Sequence, residues 1–249
     1  MSLLKNLFSG TSTKEKSENI DKTDFARLSK SDFNTFTALL EQNAVLSYEK
    51  QLNFGEFIGS NPWEFDMDKG EIYFGTKLAF PVQIIGSISF ADSSWMWGWA
   101  NKQSGIPEHL LVLANKLKEI GEQKNIEELT NPHFKINSRF DHEIGMIATG
   151  LFKTKCYYSA NYGKGSLVCT IDSPKIPNLK NDNIKVISTF SQFITEFEIA
   201  HKESFKNYLI DKDYLIKADE KSISGLKDNA ILKAEFDKQG RLVNIKNLI

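Results

Sequence analysis

Between Trp63 and Trp99 the chain places apolar residues at every second position, and that constrains the fold more than any other feature of the sequence. A period of two belongs to a β-strand with one buried face, since successive side chains point to opposite sides of the sheet. Trp63, Phe65 and Met67 alternate with acids, Asp68-Lys69-Gly70 supplies turn chemistry, and Ile72 and Phe74 resume the pattern. Phe80, Val82, Ile84, Ile88 and Phe90 then occupy even positions, and Asp92-Ser93-Ser94 turns the chain into Trp95-Met96-Trp97-Gly98-Trp99-Ala100-Asn101. The period-two region is expected to open at Phe54 and to give at least four antiparallel strands adjacent in sequence. On the last of them Trp95, Trp97 and Trp99 share one face, while Met96, Gly98 and Ala100 leave the other nearly flat, open to close approach by a helix or another backbone.

Helical periodicity brackets these strands. One helix is expected from Ser31, as N-cap, to Leu52, with Phe33, Phe36, Leu40 and Ala44 on one face. Another starts at Pro107 and carries Leu110, Leu113, Ala114, Leu117 and Ile120 up to Gly121. A third runs from Asp141 as cap through Ile144, Ala148 and Leu151. Residues 156–172 then read as strand, turn and strand; a turn centred on Tyr162-Gly163 sets Cys156 opposite Cys169. After the proline-bearing stretch 173–183, one long helix is expected through Ile187, Phe190, Ile194, Phe197, His201, Phe205 and Tyr208. Strands follow at Tyr214 to Ala218, Ala230 to Phe236 and Arg241 to Ile245. The fold class is therefore α+β: antiparallel sheets packed by amphipathic helices, with a C-terminal helix followed by a small antiparallel sheet. The expected organisation is a flexible segment over 1–23, an α+β domain over 24–175 holding the tryptophan strand, and a helix-plus-strands subdomain over 184–249 that packs into the same body or stands apart.

Composition narrows the class further. The chain has 249 residues, 41% hydrophobic and 25% charged, the profile of a folded globular protein. A net charge of −1 gives no global field favouring nucleic acid or an anionic membrane. No apolar run approaches the roughly 20 residues of a membrane span. At the start, Leu3, Leu4, Leu7 and Phe8 form a short stripe interrupted by Lys5 and Asn6, too short for a signal peptide's core, and the expected location is cytoplasmic. That stripe suits a segment docking on the body or on a partner better than a membrane-surface anchor. The two cysteines, Cys156 and Cys169, are expected to be buried thiols.

Five stretches, WEFD at 63–66, VQIIGS at 82–87, WMWGWAN at 95–101, GE at 121–122 and LT at 129–130, together resemble an uncharacterised bacterial domain-of-unknown-function family with a W-x-W-x-W-x-N signature ahead of a helix. The resemblance spans about residues 54–172 and implies a bacterial origin and a recurrent fold unit. It assigns no activity, no cofactor and no residue role.

Chemistry is sparse. The histidines His109, His133, His142 and His201 lack metal-motif spacing, and no nucleophile elbow or phosphate-cradling loop is present, so no cofactor or metal is expected. Asp141-His142-Glu143 is the densest ionisable cluster, but acids are favoured at a helix start in any case. Glu64, Asp66 and Asp68 have the alternation of a solvated hairpin face, and His201 falls on an aromatic stripe, as a satisfied core or edge histidine would. The favoured expectation is a non-enzymatic protein-binding module, such as an immunity or antitoxin-like protein masking a toxin. The alternative is a small-ligand-binding protein or enzyme with an aromatic pocket at Trp95, Trp97 and Trp99, oriented by Asn101. Those four residues are the candidate ligand- or partner-binding site, with a core wall the favoured structural role of the indoles.

Overall fold

The computed structural model describes residues 22–136, 139–180 and 182–248. The apolar stripe at Leu3, Leu4, Leu7 and Phe8, and nearly all of the segment expected to be flexible, lie outside the described residues.

Helix α1 (Phe36–Ile58) starts later and ends later than its periodicity suggests. Thr35, in extended backbone, caps it by accepting the Ala38 N–H at 3.1 Å, so Ser31 and Phe33 precede the helix. Phe54 and Ile58 continue the buried stripe, and the helix stops at Gly59, whose φ of +58° favours glycine. The period-two region therefore begins at Trp63.

Strands β1 (Trp63–Asp66) and β2 (Glu71–Phe74) form the expected hairpin, pairing Trp63 with Phe74 and Phe65 with Ile72. The long β3 (Leu78–Ser89) pairs with β2 through its first third. Beyond it, β3 lies between β4 (Ser94–Trp97) and β7 (Gly165–Ile171), with β6 (Cys156–Asn161) outside β7 and β5 (His133–Lys135) outside β4. A bulge between Ile84 and Gly86 changes the parity of β3. Ile84 packs with Leu110 and Leu111 on one face, whereas Ile85 and Ile88 join the tryptophan core on the other, so the even-numbered residues do not share a face. The strand ends before Phe90, which is exposed.

The β6–β7 register also differs from expectation. Tyr158 faces Cys169 and Cys156 faces Ile171, because the loop spans Tyr162 to Lys164 around Gly163 at φ +89° rather than a two-residue turn. Asn161 stabilises that loop by accepting the Gly163 N–H at 2.8 Å. The cysteines are free, buried and not cross-strand partners.

Helix α2 (Val112–Lys124) follows a 3-10 turn, Glu108–Leu110, entered from Pro107. It ends at Asn125 in left-handed backbone rather than at Gly121. Gly121 instead serves contact: a Cβ there would lie 2.6 Å from the Leu129 Cβ of the short α3 (Glu127–Thr130). Helix α4 (Phe140–Leu151) is capped by Arg139 in left-handed backbone, and Asp141 occupies its first turn without capping.

The long C-terminal helix is two helices, α5 (Asn183–Glu196) and α6 (His201–Asp211). The chain breaks at Phe197, held in extended backbone while its ring stacks on Phe193 at 5.1 Å and meets the Tyr48 edge at 6.0 Å. This bend brings Phe190 of α5 to 4.8 Å from Phe205 of α6. The four-stranded sheet that follows has the order β11-β10-β9-β8. Its members are β8 (Leu215–Ala218), β9 (Ser222–Lys227), β10 (Ala230–Phe236) and β11 (Leu242–Asn247). Strand β9, Ser-Ile-Ser-Gly-Leu-Lys, was not expected, because its serines and glycine obscure a strand that is buried over Ser222–Gly225.

Helix α1 joins the two halves. Its Glu49 accepts from Lys212 Nζ at 2.8 Å and from the Tyr208 hydroxyl at 2.6 Å, with the Glu49 and Lys212 side chains 0% and 3% exposed. Residues on either side of 173–183 share one apolar core, in which Trp95 and Ile147 are continuous with Phe190, Phe205 and Phe236.

Candidate functional site

Trp95 and Trp97 lie on one face of β4, as alternation requires, and both are 0% exposed. Their rings meet edge-to-face at 5.4 Å, and Trp95 also meets Phe140 of α4 at 5.3 Å. Gly86, on the neighbouring strand, leaves the space that the Trp95 ring fills. The Trp97 indole donates to the Glu128 carbonyl at 3.1 Å. These two side chains form the core wall between sheet and helices.

Trp99 stands apart from that strand. The Gly98 N–H donates to Ile85 O, and the Ala100 and Asn101 N–H groups fold back onto Trp97 O, so β4 ends at Trp97. The half-buried Trp99 ring stacks on Trp97 at 6.3 Å, with Lys118 Nζ 4.7 Å above it. Asn101 caps a 3-10 turn, Lys102–Ser104, by accepting the Ser104 N–H at 3.2 Å. Trp95, Trp97 and Trp99 line neither the cleft under the β1–β2 hairpin nor the cavity beside α1.

The opposite face of the tryptophan strand does carry a cleft. The β1–β2 hairpin folds over it, and a cavity of about 300 Å³ opens between Trp63, Phe65 and Met67 on one side and Gly98, Ile106 and Tyr162 on the other, with Asn101 in the lining. Tyr162 is 53% exposed. Gly98 keeps the floor low, since a Cβ there would meet the Leu111 side chain at 2.7 Å. Strand β1 borders the cleft and pairs with β2 alone among the described residues, so its outer backbone edge is free. Glu64 and Asp68, on the hairpin, are exposed and have no ion-pair partner among the described residues. Sequence reasoning placed Trp63, Phe65 and Met67 on one strand face but did not identify them as site residues. Their alternation was the available signal; the closing of the hairpin over the Gly98 face was not local information.

The ionisable clusters hold structure together. The Asp141 carboxylate accepts the Ser159 hydroxyl at 2.6 Å, His142 Nδ1 lies 3.1 Å from the Tyr157 hydroxyl, and burial raises the Glu143 carboxyl above its ordinary range. Asp66 accepts the Lys69 N–H within the hairpin turn and pairs with the Lys69 ammonium at 2.9 Å, which holds its carboxyl below the usual range. His201 accepts the Leu242 N–H at 3.0 Å through Nδ1, as a satisfied edge histidine. Among the described residues no three His, Cys, Asp or Glu side chains are grouped to hold a metal ion, and no helix is long and apolar enough to cross a membrane.

Against known proteins, residues 37–174 match the model of a family described as a family of unknown function, DUF6882. That stretch runs from the first turn of α1 to just past β7 and covers more than half of the chain. No curated protein and no solved structure matches.

Proposed function

Since the chain belongs to the DUF6882 family of unknown function, its role must be read from its own surface, and we propose that it is a non-enzymatic, cytoplasmic protein-binding module that masks a toxin-like partner. The observation that carries the proposal is the apolar cleft beside the free edge of β1. An extended segment of the partner adds to that edge through main-chain hydrogen bonds and lodges one bulky apolar side chain between Met67, Ile106 and Tyr162. The segment is basic next to that side chain, because the unpaired carboxylates of Glu64 and Asp68 stand beside the edge.

Asn101 in the cleft lining supports a second occupant, a small ligand held on the glycine face of the tryptophan strand and oriented by the Asn101 amide. In this arrangement Trp95, Trp97 and Trp99 act from behind, as the rigid backing of the cleft.

The test is co-expression with the product of the reading frame adjacent to this chain's gene. Wild-type protein, His142→Ala and Asp66→Ala are expected to co-purify with it and to protect the cell. Ile106→Glu and Tyr162→Lys are expected to lose both, because a charge placed in a desolvated anchor site is costly while a peripheral charge contributes little. Loss of protection by folded His142→Ala without loss of binding would favour catalysis instead.

A further inference from the structure

On the far side of the molecule, α1, α4, α6 and residues 27–30 enclose a cavity of about 720 Å³, the size of a pocket for a small organic molecule. Its walls alternate in character. Leu46, Leu151, Ile210 and Tyr214 supply apolar surface, and Arg27, Lys30, Lys50 and Lys153 supply four cations against the two acids Asp211 and Asp213.

Both acids are already engaged. Asp211 pairs with Lys30 at 2.6 Å and Asp213 with Arg27 at 3.4 Å. That leaves Lys50 and Lys153 as surplus charge in the same cavity. The Lys50 ammonium donates to the Thr154 carbonyl at 2.7 Å and has no carboxylate within 4.0 Å among the described residues, so donors remain unspent. Burial lowers its pKa, against the longer-range pull of the Asp211 and Asp172 carboxylates. Lys153 is exposed at the mouth, in left-handed backbone at φ +56° just past the end of α4, and its ammonium makes no hydrogen bond or ion pair within 4.0 Å among the described residues, acting on Asp211 only at longer range.

We propose that this cavity binds a phosphomonoester, its phosphate between Lys50 and Lys153 and its organic body against Leu46, Leu151 and Ile210. Two surplus unit charges match one phosphate dianion, and lysines hold phosphate as point charges with rotatable donors. The phosphate's second ionisation, near pH 6, makes it the dianion above about pH 7. The site is separate from the cleft beside β1 and does not depend on that proposal.

Calorimetric titration of the full chain with phenyl phosphate at pH 7.5 and low salt tests this, with benzoate and benzyl alcohol as comparison ligands. Saturable one-to-one binding of phenyl phosphate, tighter than about 1 mM, is expected. It should weaken by about ten-fold or more in Lys50→Met and in Lys153→Met, while Lys118→Met, whose ammonium lies over Trp99, binds as wild type. Lys153 is exposed, so its variant folds and decides the matter even if Lys50→Met does not. Absence of saturable binding, unchanged affinity in Lys153→Met, or benzoate binding as tightly as phenyl phosphate would each overturn the proposal.

Discussion

Trp97 donates its indole N–H to the main-chain carbonyl of Glu128, 31 residues further along the chain, at 3.1 Å. That bond ties the tryptophan strand to α3. By contrast, the buried Nε1 of Trp95 has no hydrogen-bond partner among the described residues. The two indoles are equally buried neighbours on one strand, so they form a controlled pair. Trp97→Phe is expected to destabilise the protein by about 1 kcal/mol more than Trp95→Phe, since only the first loses an indole hydrogen bond. Urea unfolding midpoints of the two variants at equal m-value measure the difference.

The Glu49–Lys212 pair gives a second outcome. Removing one partner leaves a buried charge uncompensated, so Lys212→Met is expected to cost about 3 to 5 kcal/mol. Glu49→Leu with Lys212→Met should recover a large part of that loss, because burying neither charge is cheaper than burying one. A double-mutant cycle by chemical denaturation reads the coupling.

The cysteines should be inert in the folded state. Both are 0% exposed, and burial pushes the Cys169 thiol up to about 12 and the Cys156 thiol higher still. Native protein is expected to react with a thiol reagent only as fast as it unfolds, and to form no bridge under mild oxidation, since Cys156 faces Ile171 and Tyr158 faces Cys169. Rapid labelling of either thiol in native buffer would contradict that arrangement.

His201 sets a pH dependence of known sign. Burial holds its pKa below the ordinary value of 6.5 by disfavouring the charged ring, and the neutral ring is the form that accepts the Leu242 N–H. The nearby Asp237 carboxylate pulls the other way and Arg241 adds to the lowering. Near pH 6.5 and below, the unfolded state then binds more protons at this site than the folded state, so its contribution to stability is lost as pH falls. The drop in Tm from pH 7.5 to pH 5.0 should be smaller in His201→Gln than in wild type. An equal drop in the two proteins would remove His201 from the account.

What the sequence revealed and what it withheld divide by range. The β1–β2 hairpin, the stripe of α2 and the burial of Trp95 and Trp97 follow from alternation or helical spacing within a few residues. The bulge at Ile84 to Gly86 follows instead from competing demands, with Ile84 drawn to Leu110 and Ile85 to the tryptophan core. The break at Phe197 has no proline or glycine to announce it; it exists because that ring is claimed by Phe193 and Tyr48. The β6–β7 register turned on whether Tyr162-Gly163 made a two-residue turn or part of a longer loop, which composition alone does not decide. For the candidate site, the alternation of Trp63, Phe65 and Met67 was visible, but the cleft depends on a hairpin closing over Gly98 and on Tyr162 arriving from the β6–β7 loop.

The central claim is that β1 and its cleft take up a partner's extended segment. Hydrogen–deuterium exchange of the chain, alone and with the adjacent gene's product, tests it most directly. The proposed docking predicts slowed exchange at the backbone amides of Trp63–Asp66 and around Ile106 and Tyr162, with β11 at the edge of the C-terminal sheet unchanged and the slowing abolished in Ile106→Glu. Exchange over Trp63–Asp66 that is the same with and without the partner, or protection confined to the C-terminal sheet, would contradict it.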